Sequence, residues 1–367
     1  MKWGSKVTAA ATNLICPISR SPLMLVDKTT ALDALGPNLQ RIDCYRPEVG
    51  GGEVPDRLML RADRFGAYPV VDGIPVLLAP EMIVSAGRGV PIDTRRGHYQ
   101  EAYEEMDFYN AAAAHARSDV SKSDVFEIVN KALEGGDFPG PGWLDSDYEI
   151  LAQTDAYEFM APMDGMTAVQ LGGKGIHAVK FLLAGARESW LVTPVLGEAI
   201  LARDLATAFG VENRFRVVVG ISEEIPVADS WFDRAYSGGC VHHMVTELAF
   251  PEIRRILKPG GRFSAVEPWR APLYGLGTKV LGKRERGVNC RPLEADRVLP
   301  LFETFNYSAV NHHGAFTRYP LIALGKANVR PRLETIMKIS RWDDRIASRL
   351  SLERFGSCVA VLARRNT

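Results

Sequence analysis

The stretch AVQLGGKGIHAVKFLLAGARESWLVTP, Ala168 to Pro194, constrains the fold more than any other part of the chain. An apolar run of strand length leads into a glycine cluster at Gly172, Gly173 and Gly175. A helix-length apolar segment ends at Gly185, and a second strand-length run closes the unit at Thr193-Pro194. This is the layout of a nucleotide-binding βαβ unit, which requires a parallel sheet.

The rest of residues 166–367 continues the pattern. TAVQL, SWLVT, FRVVVG, FDRAYSGG, GRFSAVEP, SAVNHH and CVAVLAR are strand candidates, and helices such as HAVKFLLAG and LGEAILARDLATAFG separate them, each stopped by glycine. Alternation of strand and helix predicts an α/β fold, a parallel sheet with helices on both faces. Residues 96–165 read as a helical cap or linker: YQEAYEEMDFYNAAAAHA is rich in helix formers, and SDVFEIVNKALEGG opens on a Ser-Asp cap and stops at a glycine pair. Residues 1–95 are rich in Pro and Gly and read as strand-poor, apart from a hairpin about Asp72-Gly73.

Composition narrows the function. Lys+Arg and Asp+Glu are both 44, so no basic excess points to nucleic acid or an acidic membrane surface. The five cysteines are scattered without CxxC spacing, which suits reduced thiols in a cytoplasm better than a disulfide framework. No run approaches the roughly 20 apolar residues of a membrane span, and the N-terminus lacks the sustained apolar segment of a signal peptide.

Several motifs in one order carry a family resemblance. Glu224-Ile225-Pro226-Val227 is followed by Phe232-Asp233, then by His242-His243-Met244, then by Leu257-Lys258-Pro259-Gly260-Gly261-Arg262. This resembles class I S-adenosylmethionine (SAM) methyltransferases, especially those of ubiquinone and menaquinone synthesis. The resemblance covers residues 166–270 and implies a seven-stranded Rossmann-like methyltransferase sheet, SAM as cofactor and a small-molecule substrate, with natural product biosynthesis as the setting. CPISRSPL and AYPVVDGIPVLL resemble a small zinc-ribbon domain that activates methyltransferases. That domain's ligand positions fall here on Cys16, Ser19, Ala62 and Phe65, and a structural zinc needs four Cys or His ligands, so a degenerate, metal-free domain is expected.

The resemblance also locates departures. The acid that ends the family's first strand is Gln170 here, and the glycine pattern is shifted, with Lys174 inside it. The ribose-binding acid of the second strand is replaced by Thr193-Pro194, with Glu198 one helical turn later. The acid after the third strand is replaced by Ile221 or Ser222. A charge-assisted hydrogen bond contributes about 1.5–3 kcal/mol. Removing two such hydrogen bonds without replacement weakens binding by roughly two to four orders of magnitude. Glu198, Ser222, Glu223 and Glu267 are the candidates to compensate. The cofactor set implied by the resemblance is therefore Gln170, Gly172, Gly173, Gly175, Thr193, Glu198, Ser222, Glu223, Ser237 and Gly238.

Four of the seven histidines form two pairs, His242-His243 and His312-His313. A histidine of the first pair is a general base or a buried structural residue, or the two pairs together with Cys240 and Glu267 make a metal site; no resident metal is assigned. Tyr109, Trp269, Arg270, Tyr274, His312 and His313 are the substrate-side candidates, and Asp107 and Phe108 share the aromatic helix of Tyr109. The basic run KVLGKRERG reads as a solvated loop or a steering patch for an anionic substrate. Residues 317–355 form an insertion between the last two strands, with an amphipathic helix that caps the site or makes a homodimer contact. Beside SAM-dependent methyl transfer stand two alternatives: the fold repurposed for other, metal-assisted chemistry, and a non-catalytic methyltransferase partner.

Overall fold

The computed structural model describes residues 13–41, 54–85, 120–272, 290–329 and 331–366, residue 274 and scattered residues between 99 and 113. Asp107 and the basic run from Lys279 lie outside the described residues.

Seven strands build the main sheet: β7 (Thr167–Leu171), β8 (Glu188–Thr193), β9 (Phe215–Val219), β10 (Phe232–Gly238), β11 (Leu257–Pro268), β12 (Tyr307–His313) and β13 (Cys358–Arg364). Their order is β12-β13-β11-β10-β7-β8-β9. The five strands β7 to β11 pair in parallel, whereas β13 runs antiparallel between β11 and β12. The sheet is therefore mixed, parallel over its five strands from β7 to β11 and antiparallel at β13. A buried strand reads as a continuous apolar run in either direction, so direction leaves no mark in CVAVLAR.

Strand order reverses between β7 and β10, and a crevice opens there at the carboxyl ends. Helices Asp124–Leu133, Ile150–Met160, Ile176–Leu183 and Leu196–Ala208 bury one face of the sheet, through residues such as Val129, Tyr157, Phe181 and Leu201. Helices Thr246–Ile256 and Ala295–Thr304 bury the other, through Phe250, Ile253 and Leu301.

The first region is not strand-poor. Six short strands, β1 (Leu23–Asp27), β2 (Leu39–Arg41), β3 (Arg57–Arg61), β4 (Ala67–Val71), β5 (Ile74–Pro75) and β6 (Ile83–Ser85), form a second sheet. Each has two to five residues. Both faces of β3 and β4 are mostly buried, so the alternation that betrays a strand is missing. The Asp72-Gly73 hairpin joins β4 and β5, with both turn residues at positive φ (51° and 77°) as a type I′ turn demands.

This unit shares its core with the main sheet. Leu14, Cys16, Leu23, Met59, Tyr68 and Val84 pack in one cluster with Trp190, Val218, Phe232 and Phe250. Val76 bridges to Val219 of β9, Leu14 bridges to Val227, and Arg20 grips Glu252 through two hydrogen bonds of 2.8 and 3.0 Å. Cys16 is fully buried, with its sulfur 3.2 Å from the Tyr68 hydroxyl and accepting from Ser19 N–H at 3.4 Å.

The insertion holds two helices, Arg318–Lys326 and Leu333–Arg349, one more than expected. Leu321 and Ile336 pack against Ile150 and Leu151, on the lateral edge of the main sheet.

Candidate functional site

A cleft of about 310 Å³ lies at the switch point. That is the lower end of the range for small-ligand sites. Its floor is the end of β7, the glycine turn and the end of β10. Its walls are Thr193, Pro194, Val195 and Glu198 on one side, Ile221 to Glu223 on a second, and Cys240, His243 and Met244 on a third.

The glycine turn has the backbone such a site needs. Gly172, Gly173 and Gly175 have φ of 76°, 72° and 75°. A Cβ on Gly172 would meet Cys240 Sγ at 2.7 Å, so main chain here lies bare beside the cleft. Gln170 is a two-sided amide lock. Its Nε2 donates to Gly172 O at 2.8 Å, and its Oε1 accepts from Ala178 N–H at 2.8 Å. The amide fixes the turn and satisfies one orphan donor of the Ile176–Leu183 helix. Gly175 caps that helix and Ser237 donates from below to Leu171 O at 3.2 Å; neither lines the cleft.

Glu198 lines the cleft, is 5% exposed, and accepts from the Thr193 hydroxyl at 3.2 Å. Ser222 and Glu223 line the opposite wall, and Glu223 Oε1 accepts from Val245 N–H at 2.8 Å, capping the Thr246–Ile256 helix.

The first histidine pair divides. A short turn at Val241–His243 is organised by Glu267, whose carboxylate is fully buried. It accepts from the N–H groups of Cys240 (3.0 Å), Val241 (2.8 Å) and His242 (3.3 Å), and from His242 Nδ1 at 2.8 Å. A carboxylate only accepts, so Nδ1 carries the proton and the Nε2 lone pair of His242 is left outward. His242 does not line the cleft; His243 does. The two rings lie 4.0 Å apart, and Tyr109 meets His243 edge-on at 6.5 Å.

The other substrate-side candidates lie elsewhere. Among the described residues that line the cleft, Trp269, Arg270, Tyr274, His312 and His313 are absent. Trp269 packs edge-on against His312 at 4.6 Å, and Arg270 faces Glu294 at 3.6 Å. β12 is three strands from β10, roughly 14 Å at the usual spacing. His313 is clamped instead, with Nδ1 2.7 Å from Asp344 and Nε2 3.2 Å from Asp155. Burial opposes its charge, but these two carboxylates outweigh it and raise its pKa to about 9. The insertion lines no part of the cleft.

His177 gave no signal of function in the sequence. It lines the cleft, and its Nε2 would sit 2.9 Å from a Cβ on Gly238. Its Nδ1 is 2.6 Å from the Tyr157 hydroxyl. Burial lowers its pKa to about 4, so the ring is neutral near pH 7. Its place two residues beyond the last glycine of the turn is the one feature that could have marked it.

Residues 172–265 match the methyltransferase domain family. Over 155 residues the chain is 29% identical to the ubiquinone/menaquinone biosynthesis C-methyltransferase UbiE of Paracoccus denitrificans (strain Pd 1222), a match spanning 40% of this chain and 56% of that protein. Among solved structures, the [4+2]-cyclase SpnF has a TM-score of 0.43 at 19% identity, covering 66% of this chain and 94% of that one. Geranyl diphosphate C-methyltransferase from Streptomyces coelicolor A3(2) has a TM-score of 0.42 at 16% identity, covering 64% and 87%. No helix among the described residues is long and apolar enough to cross a membrane.

Proposed function

We propose that the chain is an enzyme that transfers a methyl group from SAM to a small molecule, of the kind made in secondary metabolism, in the reducing setting of the cytoplasm. The observation that supports this best is the glycine turn: three residues at positive φ expose main chain beside a buried carboxylate, Glu198, at a strand-order switch point.

When bound, SAM supplies a methyl group on a sulfonium; the acceptor's electron pair forms the new bond while the sulfur–methyl pair returns to sulfur, leaving S-adenosylhomocysteine. The chain's part is to hold and orient. Gln170 fixes the turn, and the bare backbone of Gly172 and Gly173 approaches the donor. Glu198 with Thr193 takes the ribose hydroxyls in place of the strand-end acid. Ser222 and Glu223 would hold the base, and His177 Nε2, beside Gly238, would meet the donor end. His243 faces the acceptor side and takes its proton; Tyr109 closes over it. Positioning and exclusion of water supply most of the rate of such an in-line displacement.

Titration calorimetry with SAM and S-adenosylhomocysteine tests the reading. Micromolar binding to the wild type is expected, weakened by roughly 10–100-fold in Gly172→Ala, where positive φ and the Cys240 contact add about 1–3 kcal/mol of strain. Absence of binding at millimolar ligand would sink the proposal.

A further inference from the structure

One group of side chains is left unused by donor binding. A ring nitrogen of His242, a ring nitrogen of His243 and the sulfur of Cys290 lie within 4.8 Å of one another. They come from two segments that the main chain holds together. Arg291 N–H donates to His242 O at 3.3 Å, and the Arg297 guanidinium donates to His242 O at 3.2 Å and Met244 O at 2.7 Å. The fold thus brings the trio together through groups other than the three donor atoms.

A second observation concerns His242. Its Nδ1–H is engaged by the buried carboxylate of Glu267 at 2.8 Å, which leaves Nε2 as the acceptor. A carboxylate behind an imidazole is the usual support of a metal-bound histidine, because it fixes the tautomer and raises ligand basicity.

We propose that His242, His243 and Cys290 bind one divalent cation of borderline softness, of the zinc or cobalt type, with the fourth position open toward the cleft that His243 lines. Two imidazoles and a thiolate select such ions over magnesium or calcium. Charge is consistent with the assignment: a thiolate ligand and the Glu267 carboxylate behind His242 together offset the dication. A tetrahedral site with bonds of about 2.0–2.3 Å puts its donor atoms about 3.3–3.6 Å apart. The trio therefore closes by about 1 Å on binding. Cys290 is exposed, and rotation of its side chain provides that movement.

The open position selects the acceptor class: a small molecule with an ionisable oxygen, such as an enol, a phenol or a carboxylate. Coordination to the cation releases the oxygen's proton to solvent and fixes the oxygen at the mouth of the cleft. In the loaded protein His243 is a ligand, and the direct proton transfer proposed above belongs to the metal-free protein. The site itself does not depend on methyl transfer; only its role toward an acceptor rests on that reading.

Cobalt(II) is the probe. Full-length protein, stripped of metal and reduced with a non-thiol reagent, is titrated while the thiolate-to-cobalt charge-transfer band and the tetrahedral d–d bands are recorded. One equivalent with both features is expected. Cys290→Ser removes the charge-transfer band, Cys240→Ser keeps it, and Glu267→Gln weakens affinity by about 10–100-fold. No tetrahedral spectrum at stoichiometric cobalt, or a band that survives Cys290→Ser, would overturn the site. Cys290 is exposed, so its variant reports even where a histidine variant fails to fold. SAM calorimetry on the metal-free protein separates this outcome from failure of the methyl-transfer reading.

Discussion

His242-His243 and His312-His313 are the same dipeptide, each at the carboxyl end of the same sheet, and the structure uses them in opposite ways. The first pair sits at the switch point, where one ring is held by Glu267 and the other faces the cleft. The second ends the lateral strand β12, where His312 packs on Trp269 and His313 ties Asp155 of the Ile150–Met160 helix to Asp344 of the insertion. The chemistry available to an imidazole is fixed by its neighbours. A ring between two carboxylates stays charged and holds elements together. A ring at a crevice, with its neighbour locked, is placed to handle a ligand.

The sharpest break of this comparison is a pair of alanine variants. His243→Ala is expected to lower turnover by about 10²–10⁴-fold, the usual contribution of a positioned base, with SAM affinity and melting temperature unchanged. His312→Ala is expected to leave turnover as it was. Equal losses in the two variants would remove the assignment of roles.

Next in size is the clamp. The folded pKa of His313 is raised above its unfolded value, from 6.5 to about 9. Its stabilisation is therefore fully present below pH 6.5 and is lost as pH rises through about 9. The shift corresponds to about 3 kcal/mol, and the side chain is only 12% exposed, so solvent screening removes little of it. Asp344→Asn should lower the melting temperature clearly at pH 6 and little at pH 10. A difference that does not narrow with rising pH would show that the clamp is not ionic.

Glu267→Gln probes the other pair. It replaces one accepting oxygen by a donor that faces N–H groups, and a loss of about 1–3 kcal/mol in denaturant unfolding is expected. The loss should be non-additive with His242→Ala, since the two share a hydrogen bond. Additive losses would argue that Glu267 acts only on the backbone turn. The smallest effect belongs far from both pairs: Tyr68→Phe removes the hydroxyl beside Cys16 and should cost about 1 kcal/mol. If added zinc stabilised the wild type and not Cys16→Ser, the first unit would be metal-binding after all.

The buried strands of the main sheet were legible as apolar runs, and positive φ at Gly185 and Gly210 matches the predicted helix stops. Apart from the Asp72-Gly73 hairpin, the first unit was not legible, because a strand as short as β6 carries no period. Of the cofactor set, Gln170, Gly172, Gly173, Thr193, Glu198, Ser222, Glu223 and Gly238 meet at one cleft. Their legibility rests on sequence-local geometry: each lies within a few residues of a strand end. His177 escaped notice because a histidine inside an apolar helix gives no local sign of what it faces. Cys290 escaped because its partners lie almost fifty residues earlier.

The sequence by itself determined the α/β framework and the glycine turn, since these depend on backbone conformation and on residue type at strand ends. Only the tertiary structure decided that Glu198 is buried at the cleft, that Glu267 locks His242, and that the second histidine pair serves the insertion. The reason is range: strands and turns follow from neighbours along the chain. Charges and hydrogen bonds act between groups that meet only after the sheet has ordered its strands.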